Sequence, residues 1–89
     1  MKKEKRKKFK VRLFFPDKKS QEEMAEFIVI PAVDGDLGIL AGHTPLISAM
    51  RPGEIVIKTD IENKNQREIL VKSGFVEVGD NQVTLLIKN

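Results

Sequence analysis

Apolar and polar residues alternate from Phe9 to Phe15. Phe9, Val11, Leu13 and Phe15 fall on one side of an extended chain, Lys10 and Arg12 on the other. A period of two predicts a strand with one buried face. Pro16 to Ser20 reads as a turn, and Gln21 to Ala25 fits either a helical turn or a short edge strand. Phe27-Ile28-Val29-Ile30 is a continuous, β-branched run ended by Pro31, which predicts a strand covered on both faces. Further strands are expected at Ile47–Met50, Glu54–Thr59, Arg67–Lys72, Phe75–Val78 and Gln82–Lys88. The polar loop Asp60–Gln66 makes a hairpin of the strands beside it. Arg51-Pro52-Gly53-Glu54 has the residue order of a type II turn, Ser73-Gly74 that of a break or bulge, and Gly79-Asp80-Asn81 that of a tight turn. Turn signals come roughly every eight to twelve residues and no long helical period intervenes, so the expected fold is all-β: a flattened antiparallel sandwich or barrel of about eight to ten strands.

One stretch departs from this rhythm. Val33 to Leu46 holds three of the six glycines, one of the four prolines and the single histidine. Gly35, Gly38 and Gly42 can take positive φ, and Asp34 and Asp36 can close Asx-turns. Ile39 and Leu40 leave room for only a short apolar element, and Pro45 should lie outside any central strand. Such a segment presents side chains at a surface, which makes it the candidate functional region.

Composition fits one small domain: 89 residues, 40% hydrophobic, with five Phe as the only aromatics and no Cys. The charge is uneven. Residues 1–10 carry seven Lys/Arg against Glu4, a net of +6, whereas the chain totals +3, so the body is acidic and the pI of 9.3 belongs to the leader. The expected organisation is a basic leader over residues 1–8 and a β-sandwich domain over 9–89. No apolar run reaches the roughly 18–20 residues a membrane span needs. The basic start followed by Phe9–Phe15 mimics a secretory signal, but Lys10 and Arg12 interrupt it and no small-residue cleavage site follows, so a cytosolic chain is expected.

No constellation for catalysis is visible. His43 is alone as a base, Ser20, Ser48 and Ser73 lie in no nucleophile-elbow pattern, and Asp34 and Asp36 do not have calcium-loop spacing. There is no phosphate-binding glycine motif. A small nucleic-acid- or anionic-lipid-binding barrel using the basic leader is the alternative; against it, the basic residues lie apart from most of the aromatics. From the residues alone, the chain reads as a binding module acting through its Gly/His/Pro loop.

The run Gly35-Asp36-Leu37-Gly38-Ile39-Leu40-Ala41-Gly42-His43-Thr44-Pro45-Leu46 resembles the signature of the epsilon subunit family of F-type ATP synthases. Ile47–Gly53, Val71–Val78 and Asn81–Leu86 resemble later blocks of that family in the same order, so the likeness covers about residues 9–89. It implies a ten-stranded β-sandwich and a non-catalytic rotor subunit of the central stalk, without cofactor or metal. Its partners would be the gamma subunit and the membrane c-ring, with no nucleic acid. It would sit peripherally, through the complex, on the cytoplasmic face of the inner or plasma membrane and couple ion translocation to ATP synthesis. By resemblance, His43, Leu46 and Ser48 face gamma, and Gly35, Asp36 and Gly38 face the ring, Asp36 meeting basic groups from a turn tip. Family members commonly continue into a C-terminal helical hairpin. These residues stop at Asn89, and a sandwich without that hairpin would neither inhibit hydrolysis through extended helices nor bind ATP. The leader is more basic than usual in the family, which suggests contact with anionic headgroups.

Overall fold

The structure, a computed structural model, describes residues 7–89. It contains nine strands: β1 Phe9–Phe14, β2 Gln21–Ala25, β3 Phe27–Ala32, β4 Gly35–Leu40, β5 Leu46–Met50, β6 Gly53–Asp60, β7 Asn65–Val71, β8 Ser73–Gly79 and β9 Gln82–Lys88. Hydrogen bonding follows the order β2-β1-β9-β8-β5-β3-β6-β7, with β4 on the free edge of β3. Every pair is antiparallel except β1 with β9, which run side by side in the same direction.

The path bends where β5 meets β3, which are bridged only by Ala32 and Met50. One layer is therefore β2-β1-β9-β8-β5 and the other β4-β3-β6-β7. Alternate residues of both point inward: Phe9, Val11 and Leu13, then Val76, Leu85 and Ile87, meet Ile28, Ile30, Ile39, Ile55 and Ile57 in one buried cluster. Their burial is the main stabilising term, at about 25 cal/mol per Å² removed from water. At the opposite seam, Arg67 of β7 reaches β2 and donates to Gln21 at 2.6 Å and to Glu23 at 3.3 Å, joining the layers through side chains.

Several expectations change in detail. Gln21–Ala25 is a strand, paired along β1. Pro31 does not end β3: although it has no N-H to donate, Pro31 and Ala32 continue opposite Asp36 and Gly35 of β4, and the Pro31 carbonyl accepts from the Arg51 amide. Only one face of β3 is fully covered, since Ile28 and Ile30 are buried and Phe27 and Val29 half-buried. Gly53 does not have the positive φ that a type II turn needs. Its glycine has another cause: a Cβ there would lie 2.8 Å from the Pro31 Cβ. Ser73 and Gly74 belong to β8, and the interruption falls at Lys72. Asp80 and Asn81, both at positive φ (51° and 56°), form the tight turn, the conformation of a type I′ hairpin loop. Nine strands lie within the range expected from the pattern, one short of the number the resemblance implied.

Candidate docking surfaces

The glycine-rich stretch is more ordered than a loop. Gly35 to Leu40 form β4 along the whole of β3, and the turn before it is Val33-Asp34. Asp36 thus lies one residue inside the strand, opposite Pro31, and not at the tip. Its Oδ1 accepts from Arg51 Nη2 at 2.7 Å, while most of its side chain stays exposed. Gly35 has φ +132° with open space around it, and Gly38 sits against the Phe27 ring.

His43 lies past the far end of β4, so it and Asp36 mark opposite ends of that strand, whose rise from Asp36 to Leu40 is about 13 Å. His43 is half-buried; its amide donates to the Leu40 carbonyl, and Nδ1 is 2.7 Å from the Thr44 carbonyl, which places a proton on Nδ1. The adjacent Gly42 amide donates to Asn81 Oδ1 at 3.0 Å, and Asn81 Nδ2 donates to the Lys8 carbonyl at 3.1 Å. The β8–β9 turn thereby ties the His43 loop to the root of the basic segment. Lys8 therefore lies at the end of β4 away from Asp36. The expected contact of the leader with headgroups rests largely on residues 1–6, which lie outside the described residues.

β5 separates two sets of side chains. Leu46, Ser48 and Met50 point inward, Leu46 packing on the core and Ser48 half-buried with its hydroxyl on the Ala49 carbonyl at 3.1 Å. Ile47 and Ala49 point outward, and Ile47 is 74% exposed. Ala49 pairs with Phe75, Phe75 with Leu86, and Leu86 with Phe14, giving one row of apolar side chains across four strands. Phe75 and Leu86 are both more than half exposed. A groove of about 530 Å³ runs beside this row between Phe14, Pro16, Phe75 and Leu86, and a smaller hollow of about 190 Å³ lies beside Ile47 and Glu77. The next row across the sheet is mixed, Ile47-Glu77-Thr84-Arg12, so the apolar patch has a polar border.

The sequence-expected set is therefore divided in space. Gly35 and Asp36 stand at one end of β4, with Gly38 midway, and His43 lies beyond the other; Leu46 and Ser48 lie beneath the outer sheet face. The outward residues of that face, Ile47, Ala49, Phe75 and Leu86, were not singled out from the sequence. The signal was present: a strand with Leu46, Ser48 and Met50 inward must turn Ile47 and Ala49 outward.

Over residues 8–89 the chain matches the family described as the ATP synthase Delta/Epsilon chain beta-sandwich domain. It belongs to that family. It is 40% identical over 77 residues to the ATP synthase epsilon chain of Nostoc punctiforme, covering 86% of this chain and 56% of that protein. It is 42% identical over 78 residues to the epsilon chain of Desulfitobacterium hafniense, covering 88% and 57%. The chain thus spans a little over half the length of these relatives. Its fold is also that of a chain in the Euglena gracilis mitochondrial ATP synthase, with a TM-score of 0.77 at 24% identity, over 86% of this chain and 48% of that one. A chain of the Tetrahymena thermophila mitochondrial ATP synthase central stalk and c-ring aligns with a TM-score of 0.73 at 22% identity, over 97% and 67%.

Proposed function

We propose that this sandwich is a non-catalytic coupling element of a rotary ATP synthase, seated between the gamma subunit and the c-ring on the cytoplasmic side of the membrane. Family membership supports the assembly, and the exposed Ala49-Phe75-Leu86-Phe14 row supports the mode of attachment. An apolar row that wide on a small domain is a docking surface in need of a partner. Gamma takes this row and its Ile47 border; His43 shapes the rim, and Leu46 and Ser48 hold β5 in place from beneath. Each 100 Å² of apolar surface covered there contributes about 2.5 kcal/mol before the costs of association. The ring takes the Gly35–Asp36 end, with Gly38 behind it. Asp36 orients that contact more than it holds it, because an exposed pair contributes about 0.2–1 kcal/mol. The docking body is the sandwich of residues 9–89, and the basic residues 1–8 serve as its leader.

Co-elution of the 89-residue chain with purified gamma subunit tests this reading. A complex that persists between about 50 and 200 mM salt is expected of an apolar interface, whereas charge-led binding would collapse over that range.

A further inference from the structure

We infer that Arg51 is a positioning residue that braces the β3–β4 hairpin tip against the end of β5, so that force on the Asp36 end passes directly into the strand carrying Ile47 and Ala49. The force-transfer half of this inference rests on the rotor reading; the brace itself does not. Four hydrogen bonds carry it. The Arg51 amide donates to the Pro31 carbonyl at 2.9 Å, and the Val33 amide to the Ala49 carbonyl at 3.0 Å. The Arg51 guanidinium then spans the tip: Nη1 donates to the Ala32 carbonyl and Nη2 to Asp36 Oδ1. Backbone pairing between β3 and β5 amounts to the single Ala32–Met50 bridge, so the fork of Arg51 reinforces the one seam, among the described residues, at which a backbone bridge joins the two layers. The planar guanidinium suits this task, because it serves a carbonyl and a carboxylate at once with little further loss of side-chain freedom. It also changes what the Asp36 end offers a partner. One carboxylate oxygen is already engaged by a cation, so the surface is an ion pair and fits a polar loop better than a strongly basic one.

Hydrogen exchange on the full chain tests the brace. In Arg51→Ala, exchange at the Val33 amide should rise by about fivefold or more while Ile57 and Val76 keep their parental protection, the loss of one net hydrogen bond being worth about that factor. Arg51→Lys should show most of the same rise, since an ammonium keeps the charge but not the fork. A change at Val33 below about twofold in Arg51→Ala overturns the brace, and so does a uniform rise across all strands, which reports general destabilisation. In the assembled synthase, Arg51→Ala and Asp36→Ala should each lower the ions pumped per ATP, and the double variant should lose no more than the worse single one. Additive losses overturn the force-transfer step. A responsive Val33 amide with pumping unchanged in all variants leaves the brace standing and overturns the force-transfer step, whereas the rotor reading itself falls only if the parent chain fails to bind gamma.

Discussion

Leu46 and Ile47 are neighbours in β5 and face opposite ways: Leu46 packs on the core across from Val78, and Ile47 is 74% exposed. Their substitutions should separate folding from docking. Leu46→Ala is expected to cost about 1–2 kcal/mol in urea unfolding, below the loss for a fully buried leucine. Ile47→Ser should stay within about 0.5 kcal/mol of the parent in the same experiment, and should weaken gamma binding.

Gly74 and Gly35 both hold positive φ, but their surroundings differ. A Cβ on Gly74 would lie 2.0 Å from the Leu86 carbonyl oxygen, whereas one on Gly35 meets nothing within 4 Å. Gly35→Ala carries only backbone strain, about 1–3 kcal/mol. Gly74→Ala adds a collision with backbone in the neighbouring strand, and should exceed about 4 kcal/mol or prevent folding, as read by thermal denaturation.

Glu26 is the buried charged residue among those described, and its carboxylate has a task. Its Oε1 accepts from the Ile61 amide at 2.8 Å, fixing the start of the β6–β7 loop. Removing the acceptor in Glu26→Ala should cost about 1–3 kcal/mol, because an unsatisfied amide is left behind. Glu26→Gln keeps an oxygen acceptor and should cost less. Paired denaturant curves check the order.

Asp60 ends β6 with its carboxylate held by the Asn63 side chain at 2.6 Å and the Asn63 amide at 3.2 Å. The side-chain bond first, then the amide, keep its pKa below the ordinary value. A lowered folded-state pKa stabilises above the unfolded value of about 3.9, and that contribution is lost as pH falls through the folded value. NMR titration should find the Asp60 midpoint below that of a free aspartate, and Asn63→Ala should raise it.

Strands were legible wherever one face is buried, since Phe9-Val11-Leu13 and Val83-Leu85-Ile87 declare themselves by alternation. The β4 strand was not, because its glycines and acids lack the apolar rhythm and it is held by pairing along β3. At Gly53 the sequence signals a turn, as a glycine between strands does, while the actual constraint, the approach of Pro31, comes from a distant part of the chain. The same limit applied to the candidate site. The motif drew attention to Gly35–Ser48, but the apolar row gathers Ala49, Phe75, Leu86 and Phe14 from four strands, and only the sheet register brings them together. Arg51 reads as a turn residue in the sequence for the same reason: its acceptors, Ala32 and Asp36, are tertiary neighbours.

The central claim is that the outward row of β5, β8, β9 and β1 is the surface that seats gamma. Its most direct test is the affinity of gamma for the parent chain and for Phe75→Glu, measured by titration calorimetry, with circular dichroism confirming an unchanged fold. A charge placed mid-row should weaken binding by about tenfold or more, the scale of burying an unpaired carboxylate or losing an aromatic anchor. Equal affinity of the two folded proteins would contradict the account.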